Sequence, residues 1–163
     1  MVEWIGVVVG ALGYHTWPPM PITFTPQRGA ILLCDFGPDP DEPSTYPLRV
    51  PPVSKPPEIW KLRRAVVVSA KAANHKHGAG PGVCLVVPFS AKPPQTPEAH
   101  DVFFASRSYR SFTKDVWARC AAITHVSHAR LDRVIAGQGY RTDFLTQEDM
   151  ARVEAGMRAA LGL

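Results

Sequence analysis

The sequence predicts a mainly β fold with one helix: a small, partly open β-barrel carrying a C-terminal α-helix. Three observations carry that expectation. Short β-branched or aromatic runs recur along the chain, separated by turns rich in proline and glycine. Helical spacing of apolar residues appears once, in the last eighteen residues. The 163 residues hold one domain with a real core and are short for two. Several short strands with long turns and one helix fit a small barrel better than a layered α/β sheet.

Residues 1–19 fit poorly with the rest of the chain. The apolar run at 2–11 is too short to span a bilayer, and Glu3 stands where a signal peptide carries basic residues. This stretch is expected to be an N-terminal extension, with Met20 as an alternative start and 20–163 as the domain. A Gln27-Arg28-Gly29 turn then opens a strand at 30–36. Residues 37–59 carry eight prolines and four acids, which rules out a central strand or helix. Further strands are expected at 63–69, 83–87, 102–105 and 116–124. Residues 131–135 and 140–144 can form a hairpin across Gly137-Gln138-Gly139. Thr146 is a good N-cap for the final helix, Leu145 can staple onto Met150, and Met150, Val153, Met157 and Leu161 make one apolar stripe.

Composition narrows the function classes. The 45% hydrophobic and 20% charged residues are those of a soluble globular chain. The three cysteines lie in apolar runs without CxxC spacing, which suits a reducing cytoplasm and thiols used as small core residues. His75 and His77, like His125 and His128, lack the partners of a zinc site. Net charge is only +4, but residues 60–133 hold 12 Lys/Arg against 4 Asp/Glu. That excess permits an anionic partner, and it equally fits a solvated basic face.

Two strands inside this basic segment carry the functional reading. One begins at Arg63-Arg64, and the other ends at Val86-Val87, breaks at Pro88 and then offers the hydroxyl of Ser90. An arginine and a hydroxyl brought together by neighbouring strands suit a phosphate. Ser90 equally fits a turn cap after Pro88.

The order of these pieces resembles the MazF/PemK (Kid) toxins of bacterial type II toxin–antitoxin pairs. The pieces are Arg28-Gly29-Ala30-Ile31 with Cys34-Asp35-Phe36, an acidic loop, the 63–69 strand, and 86–90. The resemblance spans roughly 20–163. It implies an SH3-like barrel of the MazF/PemK/CcdB kind, usually a homodimer in the cytoplasm. Such a toxin cleaves single-stranded RNA sequence-specifically, needs no metal or other cofactor, and is silenced by a cognate antitoxin. By the same resemblance, Arg63 contacts the scissile phosphate, Ser90 lies near it, and Arg119 acts as an acid or phosphate clamp. Glu42 matches a loop glutamate that helps bind RNA. Three positions depart from the family: Ala121 stands where an aspartate is common, Asp41 stands near a missing loop histidine, and Arg64 replaces a common proline.

Cleavage by the RNA's own 2′-hydroxyl needs a proton acceptor, charge stabilisation on the phosphorane and a donor to the 5′-oxygen. Arg63, Ser90 and Arg119 are the expected catalytic residues. Asp41 or Glu42 is the candidate base, with His75 or His77 behind them. Phe36, Glu42, Trp60 and Arg64 are the expected RNA contacts. Two rivals stay open. One is a catalytically impaired RNA- or protein-binding member of the fold, including a topoisomerase-poisoning toxin. The other is a basic structural RNA-binding domain.

Overall fold

The computed structural model describes residues 21–37, 59–70, 74, 78–136 and 139–163. The extension, Met20, Asp41, Glu42, His75 and His77 therefore lie outside the described residues. Among the described residues nine strands form one antiparallel sheet that curls without closing: β1 (Ala30–Asp35), β2 (Leu62–Val67), β3 (Val83–Ser90), β4 (Asp101–Phe104), β5 (Val116–Arg119), β6 (Thr124–Ser127), β7 (Leu131–Ala136), β8 (Gly139–Arg141) and β9 (Asp143–Phe144). Along the sheet the order is β4-β5-β3-β2-β1-β7-β8, with β6 also on β3 and β9 also on β1. The helix α1 (Gln147–Leu161) follows. This is the partly open, SH3-like barrel with a C-terminal helix that the sequence predicts.

The central strands read as unbroken apolar runs because both of their faces are covered. Ile31, Val66 and Val87 join one cluster with Phe89, Phe104, Phe112 and the helix residues Met150 and Val153. Their neighbours Leu32, Cys34, Ala65, Val67 and Val86 join a second cluster on the opposite face. Strand parity therefore sorts the buried apolar residues of β1, β2 and β3 between the two cores.

The expected strand at 116–124 is in fact two strands. β5 pairs with the end of β3 (Phe89 opposite Ala118), and β6 pairs with its beginning (Val86 opposite Thr124). Between those pairs β3 advances three residues while its partner advances six. The surplus coils into a 3₁₀ turn, Cys120–Ala122, in effect an enlarged bulge. That bulge also explains why β3 runs on through Pro88 to Ser90, past its expected end at 87. Pro88 falls in the gap between the two partners, where the ladder needs no N–H. The expected strand at 140–144 splits as well, because β8 pairs with β7 while β9 crosses to β1.

The helix begins as predicted: Thr146 Oγ1 accepts from the Asp149 N–H at 3.2 Å, and Gly162, at φ +70°, closes the C-terminus. Its buried stripe differs from the expectation. Leu161 is 59% exposed, whereas Gly156 is buried. A Cβ on Gly156 would lie 2.8 Å from Cys120 Sγ and 2.9 Å from Val102 Cγ2. The glycine lets the helix press onto the bulge and β4. Gly156→Ala gains about 1 kcal/mol of helix propensity but forces an overpacking cost of about 1–3 kcal/mol. Net destabilisation is therefore expected in chemical denaturation, and unchanged or raised stability would contradict this packing.

Candidate active site

One face of the β2–β3–β5 sheet opens into a cleft of about 760 Å³. Parity decides which residues reach it. On β2, Arg63 shares its face with Ala65 and Val67 of the second core, while Arg64 lies on the other face with Val66. On β3, Ser90 follows Val86 by four residues and so shares its face. On β5, Ala118 packs into the first core, and Arg119 takes the opposite face. Arg63, Ser90 and Arg119 thus line one cleft, with Phe36, Ile59 and Trp60 as its apolar wall.

The wall is pinned to Arg63. Its Nε donates to the Trp60 carbonyl at 2.9 Å, and its guanidinium carbon lies 5.8 Å from the centre of the Trp60 ring. Lys61 takes a left-handed backbone (φ 68°) just before β2. It is held there by two backbone hydrogen bonds, Lys61 N to Gly37 O at 2.8 Å and Phe36 N to Lys61 O at 3.2 Å. These bonds clamp the exit of β1 to the entrance of β2 at the cleft rim. Ser90 Oγ accepts from Lys92 N at 3.2 Å and donates to Lys92 O at 3.3 Å, so it caps the turn that brings Lys92 to the cleft.

Arg119 is held from behind. Its Nε lies 3.0 Å from Oδ1 of Asp101, its direct partner across β4 and β5. The Asp101 side chain is 2% exposed, and that of Arg119 is 33% exposed. The contact is an ion pair without hydrogen-bond alignment. Asp101 Oδ2 also accepts from the Glu98 N–H at 3.3 Å. A buried carboxylate therefore faces the back of a guanidinium whose front is open to the cleft.

Arg63, Lys92, Arg119 and Arg130 supply four cations, and Ser90 and Thr124 supply hydroxyls. Among the described residues no carboxylate or imidazole lines the cleft. All three thiols are buried and none lines the cleft, and burial pushes Cys34 up to about 12 and Cys84 and Cys120 up to about 11. The arrangement suits binding of a phosphate and stabilisation of charge growing on it.

Residues 27–161 match the family model of the PemK-like, MazF-like toxins of type II toxin–antitoxin systems. The chain belongs to that family. This PemK-like chain is also 29% identical over 147 residues to the Escherichia coli (strain K12) protein YifN, covering 83% of the chain and 91% of YifN. Its fold is similar to that of MazF from Deinococcus radiodurans, with a TM-score of 0.55 at 14% identity, covering 85% of this chain and 98% of that one. It is similar too to a mycobacterial endoribonuclease solved with its cognate antitoxin, with a TM-score of 0.51 at 17% identity, covering 85% of this chain and 96% of that one.

Of the residues singled out from sequence, Phe36, Trp60, Arg63, Ser90 and Arg119 all line the cleft, and Ala121 lies in its wall on the bulge. Arg64 does not line it. It is half-buried on the opposite face of β2, where burial lowers its pKa. Sequence reading missed Lys92, Thr124, Arg130 and Asp101. Asp101 carried a signal only in its pairing with Arg119, which requires knowing the β4–β5 register.

The cluster makes a quantitative prediction. If three or four of these cations meet phosphates, log K for a single-stranded polyphosphate such as poly(U) falls with log salt at a slope of about −2 to −3. Arg63→Ala should make that slope shallower by about 0.7. A slope unchanged by the substitution would place the phosphate elsewhere.

Proposed function

We propose that the chain is a toxin of a type II toxin–antitoxin system that cuts single-stranded RNA sequence-specifically without a metal ion. The observation that carries this reading is the convergence of Arg63, Ser90 and Arg119, from three separate strands, on one cation-lined cleft with an aromatic wall. Membership of the toxin family supports it, as does a fold shared with proteins named as endoribonucleases. A cognate antitoxin and a second copy of the chain are the proposed protein partners, and the cytoplasm is the proposed site of action.

In the proposed reaction the RNA 2′-oxygen attacks the adjacent phosphorus and loses its proton to a base. The new 2′-O–P bond forms as the P–O5′ bond breaks, and the 5′-oxygen takes up a proton. The products are a 2′,3′-cyclic phosphate and a 5′-hydroxyl. Arg63 and Arg119 neutralise the phosphorane from two strands, each presenting a planar fork whose charge does not titrate near neutrality. Ser90 moves its weak 3.3 Å donation from Lys92 O to a nonbridging phosphate oxygen. Phe36 and Trp60 hold a base against the wall.

The base is assigned to Asp41 or Glu42. The segment that carries them leaves and re-enters the described chain at the cleft, since Phe36 and Ile59 both line it. One specific observation favours a second reading, a binding protein without activity: the carboxylate that the family resemblance places on the bulge is here the methyl group of Ala121.

The two readings separate in one experiment. Purified protein is incubated with mixed-sequence RNA in EDTA, and the fragment ends are mapped. Cuts at a fixed short sequence, ending in 2′,3′-cyclic phosphate and reduced about 100-fold or more by Arg63→Ala, are expected. RNA that is bound but left intact would select the binding reading.

A further inference from the structure

Beyond the cleft, the same face of the sheet continues onto the β4–β5 hairpin. Arg119 and Asp101 are opposite each other there, and two residues along each strand Trp117 stands opposite Phe103. Strand parity puts all four on the outer face, since Val102, Phe104, Val116 and Ala118 between them point into the first core. Trp117 is also the partner of Ser90 across β3 and β5. One row thus runs Ser90, Trp117, Phe103, alongside Arg119 at a spacing of about 7 Å along the strand. The two rings form a tilted pair with centroids 5.2 Å apart, and Phe103 is 42% exposed.

Phe103 is exposed and Trp117 half-buried in this pair, and its backbone is tied to the helix. Arg152 of the helix donates from Nη2 to the Phe103 carbonyl at 2.7 Å, fixing the free edge of β4 beneath the ring. The hairpin loop just past the pair, residues 105–115, carries Arg107, Arg110 and Lys114, all exposed, against Asp115. Asp115 is engaged, accepting from the Ser106 N–H at 2.7 Å. In order along the hairpin stand a cation in the cleft, an aromatic ledge, and a basic loop. That alternation matches a single strand of nucleic acid, whose phosphates take the cations and whose base takes the ring.

We infer that the Trp117–Phe103 ledge is a base-stacking subsite, holding the base of the nucleotide next to the one whose phosphate lies between Arg63 and Arg119. The inference rests on the RNA-cleaving function proposed above and extends it: the RNA path leaves the cleft along β4–β5 toward the basic loop. Stacking is tolerant of base identity because every base has a π-face. The ledge therefore sets affinity and register of the strand, while the cleft wall reads the base it holds.

The test measures binding of a short RNA made uncleavable by 2′-deoxy substitution, by fluorescence anisotropy, for the wild type, Trp117→Ala, Trp117→Phe and Arg63→Ala. Trp117→Ala should weaken binding about 5- to 100-fold, the range for one stacked base, without altering the salt slope. Trp117→Phe should keep most of the affinity, which also shows that the position tolerates change. On a series of RNAs with one base removed in turn, a single abasic position should cost the wild type about as much as Trp117→Ala does, and should cost Trp117→Ala nothing further. Wild-type affinity in Trp117→Ala, beside weakened binding in Arg63→Ala, would overturn the subsite and leave the cleft reading intact. A wild type that binds no single-stranded RNA would overturn both. Conversion of a dimer to a monomer by Trp117→Ala, seen by sedimentation, would also overturn it by making the ledge a contact between copies.

Discussion

β3 has more pairing surface than any single partner uses. Its eight residues take β2 along one side, and on the other side β6 and then β5. The change of partner requires three surplus residues, and these coil into the Cys120–Ala122 turn. Much of the site depends on that discontinuity. It accommodates Pro88 without a broken ladder, leaves Ser90 at the strand's far end, and turns β5 so that Arg119 faces the same cleft as Arg63. It also puts Ala121 and Ala122 in the cleft wall, where two small side chains leave room for a ligand. Gly156 holds the bulge from outside by bringing the helix onto Cys120. A packing choice on the helix therefore bears directly on the geometry of a phosphate site across the sheet.

The cleft is electrostatically one-sided. Among the described residues four cations line it, and the carboxylate of Asp101 lies behind Arg119, almost wholly buried. A buried acid in that place balances the charge at the back of the guanidinium while the front is left to solvent. Such preorganisation suits stabilisation of charge that develops on a bound phosphate, because little has to reorganise when the charge appears. It does not supply a proton acceptor. In the proposed mechanism that part falls to the acidic segment whose two ends border the cleft, so the fixed sheet holds the phosphate and the proline-rich segment brings the base.

Much of this was legible in the sequence, for identifiable reasons. The strands 30–36, 63–69 and 83–87 stand out because central strands covered on both faces read as nearly continuous apolar runs, and the capping of α1 is local chemistry. Arg63 and Ser90 came together because neighbouring strands bring distant residues side by side. The places where reading failed are set by register and close approach. Nothing in Arg63-Arg64 says which guanidinium faces the cleft; parity with Ala65 and Val67 says so once those two are known to be core. The split of 116–124 depends on the length of β3. The burial of Gly156 and the exposure of Leu161 depend on where the helix touches the barrel, which an apolar stripe alone does not locate. Asp101 meets Arg119 only through the register that lays β4 against β5.

The proposed chemistry requires Arg63 and Arg119 to grip the same phosphate. A double-mutant cycle tests this: binding of an uncleavable single-stranded RNA to the wild type, Arg63→Ala, Arg119→Ala and the double variant, at one fixed salt concentration. Two arginines on one phosphate predict losses that are not additive, with a coupling of about 0.5–3 kcal/mol. Losses that add within about 0.3–0.5 kcal/mol would mean that the two arginines hold separate groups, and would contradict the shared site.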